Sequence, residues 1–270
     1  MQTKEERAKK LSERYAQIAA DLPWYAGTGN DDPVLDHQWQ GACYGAYARR
    51  WFLGDEPGAG KTRTSVGWAD LVGAEKIVLV AEANVCAQFA GEVMTLAPHR
   101  TLINLAGLSA KTRHEHINSL LKREEGVVVI NYEMFRRDQD ALGKIQMWQA
   151  DTIIIDEAHN MKDPQSSNAR YVRAIAFAQN TCPGCTGLVY GLEAPCPSCG
   201  WQVPDGNVKA YNLKTTKSSE MFLESRSVKN LLAMTGTPVL NTPMDLFSIA
   251  HLIDPVEFPT KTKFKKDFTR

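Results

Sequence analysis

The sequence carries no net charge. Its 31 Lys and Arg are balanced by 31 Asp and Glu, so it has no global electrostatic footprint for a polyanion, and any nucleic-acid contact must come from local patches. No apolar run approaches the length of a bilayer span. The first residues, Met-Gln-Thr-Lys-Glu-Glu-Arg, are charged, and no secretory signal core follows them. These absences exclude a membrane partner and point to an intracellular protein, cytoplasmic or nucleoid-associated. In that setting the six cysteines are expected as thiols or metal ligands, not disulfides. Disorder is excluded from the other side: 43% apolar residues over a chain of 270 suffice for a folded core.

What is present centres on Gly54-Asp55-Glu56-Pro57-Gly58-Ala59-Gly60-Lys61-Thr62. This reads as a phosphate-binding loop. Gly58 and Gly60 let the backbone turn tightly, so that successive N–H groups face phosphate oxygens. Lys61 is expected on the β- and γ-phosphates, and the Thr62 hydroxyl on Mg²⁺. Arg63 follows directly and joins the nucleotide-binding set. The general pattern G-x-x-x-x-G-K-[ST] is missed at one position, because Asp55 stands where its first glycine belongs. A chance glycine-rich turn is the bland alternative, and a matching partner downstream argues against it.

That partner is Thr152-Ile153-Ile154-Ile155-Asp156-Glu157-Ala158-His159. A short β-branched run ending in two carboxylates reads as a buried strand that delivers acids at its C-terminal end. An Asp-Glu pair after a strand also serves to cap a helix. With Lys61 upstream, it reads instead as Asp156 holding Mg²⁺ and Glu157 polarising the attacking water.

Along the chain, residues 4–20 have helical period and residues 26–33 form a loop, giving an N-terminal helix and loop over 1–33. Leu35-Asp36-His37-Gln38 precedes a segment of helical period that runs to Trp51. Gln38 lies about twenty residues before the loop, and a glutamine amide can read an adenine edge by donating and accepting at once. Helices are expected over 62–72, 84–95, 110–125, 166–179 and 244–252, and strands over 77–81, 101–105, 127–131 and 231–235. His114 and His116 are expected to face solvent, and their spacing does not form a metal site. Strands alternating with helices predict an α/β domain with a mostly parallel sheet, whose ligands bind at the carboxyl ends of the strands. Residues 261–270 carry five Lys and Arg against one Asp; a basic tail for phosphate contact and a solvated end both fit.

The pattern changes at Cys182-Pro183-Gly184-Cys185, followed ten residues on by Cys196-Pro197-Ser198-Cys199-Gly200. Two C-x-x-C knuckles this close suit one tetrahedral four-thiolate site. The intervening segment is too short for a core of its own, so metal would stabilise it. Zinc is expected, with iron in a rubredoxin-like site as the competitor. Four thiolates leave no open position, so the site reads as structural. The insertion spans about 180–204. Cys43 and Cys86 are isolated and expected to be buried.

Taken together, these blocks resemble the first RecA-like lobe of an SNF2-type superfamily 2 helicase or translocase, over roughly residues 34–268. Asp55 to Thr62 resembles motif I in its SNF2 form, Asp-Glu-x-Gly-x-Gly-Lys-Thr, which accounts for Asp55. Gln38 falls at the family's adenine-reading glutamine. Residues 77–84 resemble motif Ia, and residues 127–137, with Asn131-Tyr132-Glu133, resemble motif Ib. Asp156-Glu157-Ala158-His159 is similar to the DEAH form of motif II. Thr235-Gly236-Thr237-Pro238 resembles motif III. The resemblance implies a RecA-like P-loop NTPase domain over 34–270, with a mostly parallel sheet flanked by helices and a small zinc-knuckle insertion. It implies ATP hydrolysis coupled to movement on nucleic acid, usually duplex DNA. His159, Thr235, Gly236 and Thr237 would couple the nucleotide to the DNA side. Backbone near Asn84, Asn131 and Tyr132 would contact phosphates. A complete motor has a second RecA-like lobe that reaches the γ-phosphate with arginines, worth about 10³–10⁵ in rate. None is visible after Thr237, so the chain is expected to bind Mg·ATP and hydrolyse it poorly alone. Two other classes remain open: a nucleotide-dependent binding module without motor activity, and an ATPase lobe of a restriction or nuclease complex.

Overall fold

The computed structural model describes residues 34–177, 180–181, 188–189, 228–239, 241–255, 257–258 and 260–268, together with positions 6, 9, 13 and 17. Its strands are β1 (Arg50–Leu53), β2 (Lys76–Ala81), β3 (Leu102–Asn104), β4 (Gly126–Asn131), β5 (Thr152–Ile155), β6 (Asn180–Thr181), β7 (Leu188–Val189) and β8 (Asn230–Met234). Its helices are α1 (Asp36–Ala48), α2 (Lys61–Leu71), α3 (Cys86–Leu96), α4 (Ala110–Leu120), α5 (Met134–Arg137), α6 (Gln139–Trp148), α7 (Ser167–Ala176), α8 (Phe247–Ile253) and α9 (Lys261–Phe268), with 3₁₀ turns at Ala158–Met161 and Pro243–Leu246.

β-Branched and apolar runs such as Val127-Val128-Val129-Ile130 cannot leave either face in water, so they form strands covered on both sides. Six of them make one sheet in the order β1-β8-β5-β2-β4-β3, with every neighbouring pair parallel. Successive side chains alternate between the faces. Val78, Val80, Val128, Ile130, Ile153 and Ile155 pack beneath α4, α6, α7 and α8. Ile77, Leu79, Val127, Val129, Ile154 and Leu232 pack beneath α1, α2 and α3. The expected α/β domain with a parallel sheet between helices is therefore present.

β1 departs from the sequence reading, which ran a helix through to Trp51. α1 ends at Ala48, and Arg49 adopts φ 66°, which breaks the helix and turns the chain into the sheet edge. No glycine or proline marks that break. Arg50, on β1, donates to the carbonyls of Leu252 (2.6 Å), Ile253 (2.9 Å) and Val228 (2.8 Å). It thereby satisfies carbonyls at the C-terminal end of α8 that the helix itself leaves unpaired.

The basic C-terminal segment is also more than a tail. Residues 261–268 form α9, and its Phe264 is buried against Phe247 and Phe258, with ring centroids 5.6 and 5.7 Å away. The lysines occupy the opposite, exposed face. His114 is not a solvent-facing histidine: its Nε2 lies 3.1 Å from Asp138 Oδ1 and its Nδ1 3.1 Å from Lys144 Nζ. His116 is exposed as expected. Cys86 is fully buried and Cys43 half-buried.

Positions 6, 9, 13 and 17 are helical, in line with the predicted N-terminal helix. All four cysteines of the predicted metal knuckles lie outside the described residues. Cys182 and Cys185 fall in sequence between β6 and β7, which pair antiparallel. Among the described residues there is no cluster of three or more potential metal ligands, and no helix is long and apolar enough to cross a membrane.

Candidate functional site

The strand order decides which loops meet. β1, β8 and β5 are adjacent, with Leu53 opposite Met234 and Ala233 opposite Ile155. The segments leaving their carboxyl ends are therefore neighbours: Gly54 to Gly60, the turn from Thr235 to Pro238, and Asp156-Glu157. Chain positions separated by about 180 residues converge at one sheet edge, where ligands of such folds bind.

The glycine loop has the backbone that its sequence demands. Gly58 and Gly60 sit at φ 85° and 81°, where L side chains are strained. A Cβ at Gly58 would meet nothing within 4 Å, so the loop's outer face is open, whereas a Cβ at Gly60 would strike the Gln38 amide. Lys61 and Thr62 open α2, placing the positive end of that helix at the loop. Lys61 Nζ donates to the carbonyls of Asp55 (3.0 Å) and Glu56 (3.1 Å), which hold the ammonium over the loop. Pro57 packs under Gly236, where an added Cβ would lie 2.7 Å from its ring, so the two motifs are in contact.

Gln38 is 5% exposed. Its Nε2 donates to Ala59 O (3.1 Å), and its Oε1 accepts from Leu35 N (3.0 Å). It thus braces the loop as well as facing the adjoining cleft. His37 also has Nε2 3.0 Å from Ala59 O. The cleft has a volume of about 620 Å³ and is lined by Gln38, Gly58, Gly60, Thr62 and Arg63 on one side and by α3, including Glu92, on the other. That falls in the range of small-molecule sites. The α3 wall carries no recognisable sequence signal, because only tertiary packing brings it there.

Asp156 ends β5 with little exposure. Burial and the neighbouring Glu157 charge push its carboxyl up to about 6, against a partial downward pull from Lys61. The lysine of the loop and the acid of the second motif therefore share one electrostatic environment. A little-exposed carboxylate that its neighbours leave short of positive charge suits a hard divalent cation, which supplies that charge.

The raised value also has a consequence for stability. Relative to 3.8 for an unshifted Asp, the folded state holds the proton more tightly, so this group favours folding below about pH 4 and loses that contribution as pH rises through 6. We expect Asp156→Asn to raise the stability of the ligand-free chain at pH 7 by roughly 1–3 kcal/mol. Denaturant midpoints for the two proteins should converge at pH 4.

Glu157 belongs to a closed polar set. Thr235 Oγ1 donates to Glu157 Oε2 (2.9 Å), His159 Nδ1 lies 3.0 Å from Glu157 Oε2 and 2.9 Å from Thr235 Oγ1, and Thr237 N donates to Thr235 Oγ1 (3.1 Å). All four coupling positions expected from the sequence, with Gly236 between the two threonines, are thus gathered around one carboxylate.

The proposed nucleic-acid contacts divide. Asn84 lies in an exposed turn after β2. Asn131 ends β4, and its Nδ2 donates to Glu133 Oε2 (2.9 Å). Tyr132 is corrected: it is 3% exposed, its N–H donates to Ala81 O (3.3 Å) and its hydroxyl to Asp156 O (2.6 Å). Both donors are used inside the protein, so it does not face a strand.

Comparison with known proteins agrees with this architecture. The SNF2-related domain family matches residues 37–186, more than half of the chain. The chromatin-remodeling ATPase INO80 of Arabidopsis thaliana is 22% identical over 91% of this chain and 13% of its own length. Human chromodomain-helicase-DNA-binding protein 8 is 22% identical over 80% of this chain and 7% of its own. This chain therefore spans a small part of either relative. Among solved structures, the Sulfolobus solfataricus SWI2/SNF2 ATPase core in complex with dsDNA superposes with a TM-score of 0.56 at 19% identity, covering 86% of this chain and 38% of that one. At that identity the likeness concerns the fold. With its family match, its parallel sheet and its converging loops, the chain belongs to the SNF2-related family and has the α/β fold of that family's ATPase core.

Proposed function

We propose that this chain is the ATP-binding lobe of an SNF2-like translocase, which couples hydrolysis of Mg·ATP to movement on duplex DNA. One observation carries the reading: the Lys61 loop leaves β1 and the Asp156-Glu157 pair leaves β5, with the single strand β8 between them, and Lys61 is close enough to act on Asp156.

The loop's backbone N–H groups around Gly58 and Gly60, with Lys61, hold the phosphates, while Gln38 and Arg63 bound the cleft for the base and sugar. Thr62 and Asp156 hold Mg²⁺, which neutralises phosphate charge. Glu157 orients the attacking water, and its acceptor oxygen is fixed by Thr235. His159 and the turn from Thr235 to Thr237 relate that carboxylate to the phosphate loop through the Pro57–Gly236 contact. Asn84 and Asn131 remain candidates for backbone-level contact with one strand, which positions the track without reading its sequence. Duplex DNA is favoured as the track because the Sulfolobus core superposes on this chain in its DNA complex. A second RecA-like lobe, on this polypeptide or another, supplies the arginines that complete the site. A water-orienting carboxylate held in its own polar network weighs against a purely nucleotide-dependent binding module, which has no use for one.

The test is ATP turnover with and without duplex DNA, alone and with a second RecA-like lobe added. Stimulation by DNA, rising further with the second lobe, is expected. Binding of nucleotide with no hydrolysis under any of these conditions would return the chain to the binding-module class.

The Cys182, Cys185, Cys196 and Cys199 knuckles are proposed to hold one structural Zn²⁺. One equivalent of zinc by elemental analysis is expected, and chelation should unfold the insertion while leaving nucleotide affinity unchanged. A purified chain with neither zinc nor iron would remove this site.

A further inference from the structure

Three non-glycine residues among those described have positive φ: Arg49, Gln149 and Glu157. The first two cap the C-terminal ends of α1 and α6, a common place for left-handed backbone. Glu157 has no such excuse. It sits at φ 46°, ψ 52° between β5 and the 3₁₀ turn, and strain of this kind persists only where the surroundings over-determine it.

Those surroundings are specific. The carbonyls of Asp156 and Glu157, one before and one at the strained residue, each accept from a side chain, the first from Tyr132 after β4 and the second from Asn160, three residues on, whose N–H also donates to Glu157 O at 3.0 Å. Tyr132 Oη donates to Asp156 O at 2.6 Å and lies 3.4 Å from Glu157 O. Asn160 Nδ2 donates to Glu157 O at 3.1 Å and also to Glu82 Oε1 at 2.9 Å. Tyr132 directly follows β4, and Glu82 directly follows β2. These are the same two turns that carry Asn131 and Asn84.

We propose that Tyr132 and the Glu82–Asn160 pair are positioning residues for Glu157. They hold its strained backbone from the two turns that face nucleic acid, so that a strand bound there alters the aim of the carboxylate without touching it. The inference rests on the functional reading above and assigns it a physical link. Hydrolysis and strand binding share an equilibrium only if some element differs between the two states, and the Asp156–Glu157 peptide is that element.

The experiment is single-turnover hydrolysis of ATP with the chain in excess, with and without duplex DNA, which registers even slow rates. Wild type, Tyr132→Phe and Asn160→Ala are compared, and fluorescent-ATP affinity and thermal unfolding are recorded for each. Tyr132→Phe removes only the hydroxyl. It should reduce the DNA stimulation factor at least tenfold while nucleotide Kd stays within twofold, and Asn160→Ala should do the same more weakly. Stimulation undiminished in Tyr132→Phe overturns the link and leaves the functional reading standing. Loss of affinity in step with loss of rate also overturns it, because that is the behaviour of a structural residue. A wild-type chain that DNA stimulates neither alone nor with a second RecA-like lobe added overturns the functional reading, and the link with it.

Discussion

Lys61→Ala is expected to cost the chain its nucleotide while sparing its fold. The ammonium makes two hydrogen bonds, both to loop carbonyls at Asp55 and Glu56, so its removal opens no cavity and breaks no core contact. On the proposed triphosphate the same group would make charge-assisted bonds to two phosphates. Each such bond contributes about 1.5–3 kcal/mol, so affinity for Mg·ATP should fall by roughly a hundredfold or more. The melting temperature without nucleotide should stay near that of wild type. Equilibrium binding of a fluorescent ATP analogue, beside a thermal melt, measures both. Unchanged affinity in a folded variant would count against the whole site.

Glu157→Gln should separate binding from chemistry. The amide keeps an acceptor oxygen for Thr235 and nearly the same shape, so nucleotide affinity should hold. The carboxylate proposed to polarise the attacking water is lost, and a positioned general base contributes about 10²–10⁴ in rate. Turnover should drop within that range at unchanged Kd. His159 loses its carboxylate neighbour at the same time, since Nδ1 lies 3.0 Å from Glu157 Oε2. Part of the loss should therefore appear as weaker DNA stimulation. A variant that hydrolyses ATP at the wild-type rate would remove Glu157 from the mechanism.

These expectations were legible in the sequence to different depths. The glycine loop and the acid pair are local chemistry: residue types at fixed spacing, each next to a strand that its β-branched run announces. The convergence of Lys61 and Asp156 followed from the general rule that parallel α/β sheets bind ligands at their strand ends. The strand β1 was not legible, because four residues, two of them half-buried, continue a helical period with no breaker before them, and the break lies in the φ of Arg49. Nor was the docking of α9, which depends on an aromatic cluster reaching back to Phe247.

The role of Tyr132 was also hidden. The sequence placed it beside a phosphate contact, and only the fold brings its hydroxyl to the Asp156 carbonyl, 24 residues away. The same holds for His159 and Thr235, 76 residues apart. Motifs report what the backbone presents locally; networks that aim a catalytic side chain are tertiary and leave little trace in spacing.

The most direct test of the central claim is a structure of the chain with Mg²⁺ and a non-hydrolysable ATP analogue. The account predicts the triphosphate along the loop from Gly58 to Thr62, with Lys61 released from Asp55 and Glu56 onto it and the cation between Thr62 and Asp156. A nucleotide bound elsewhere, with Lys61 still on the loop carbonyls and no cation near Asp156, would contradict it.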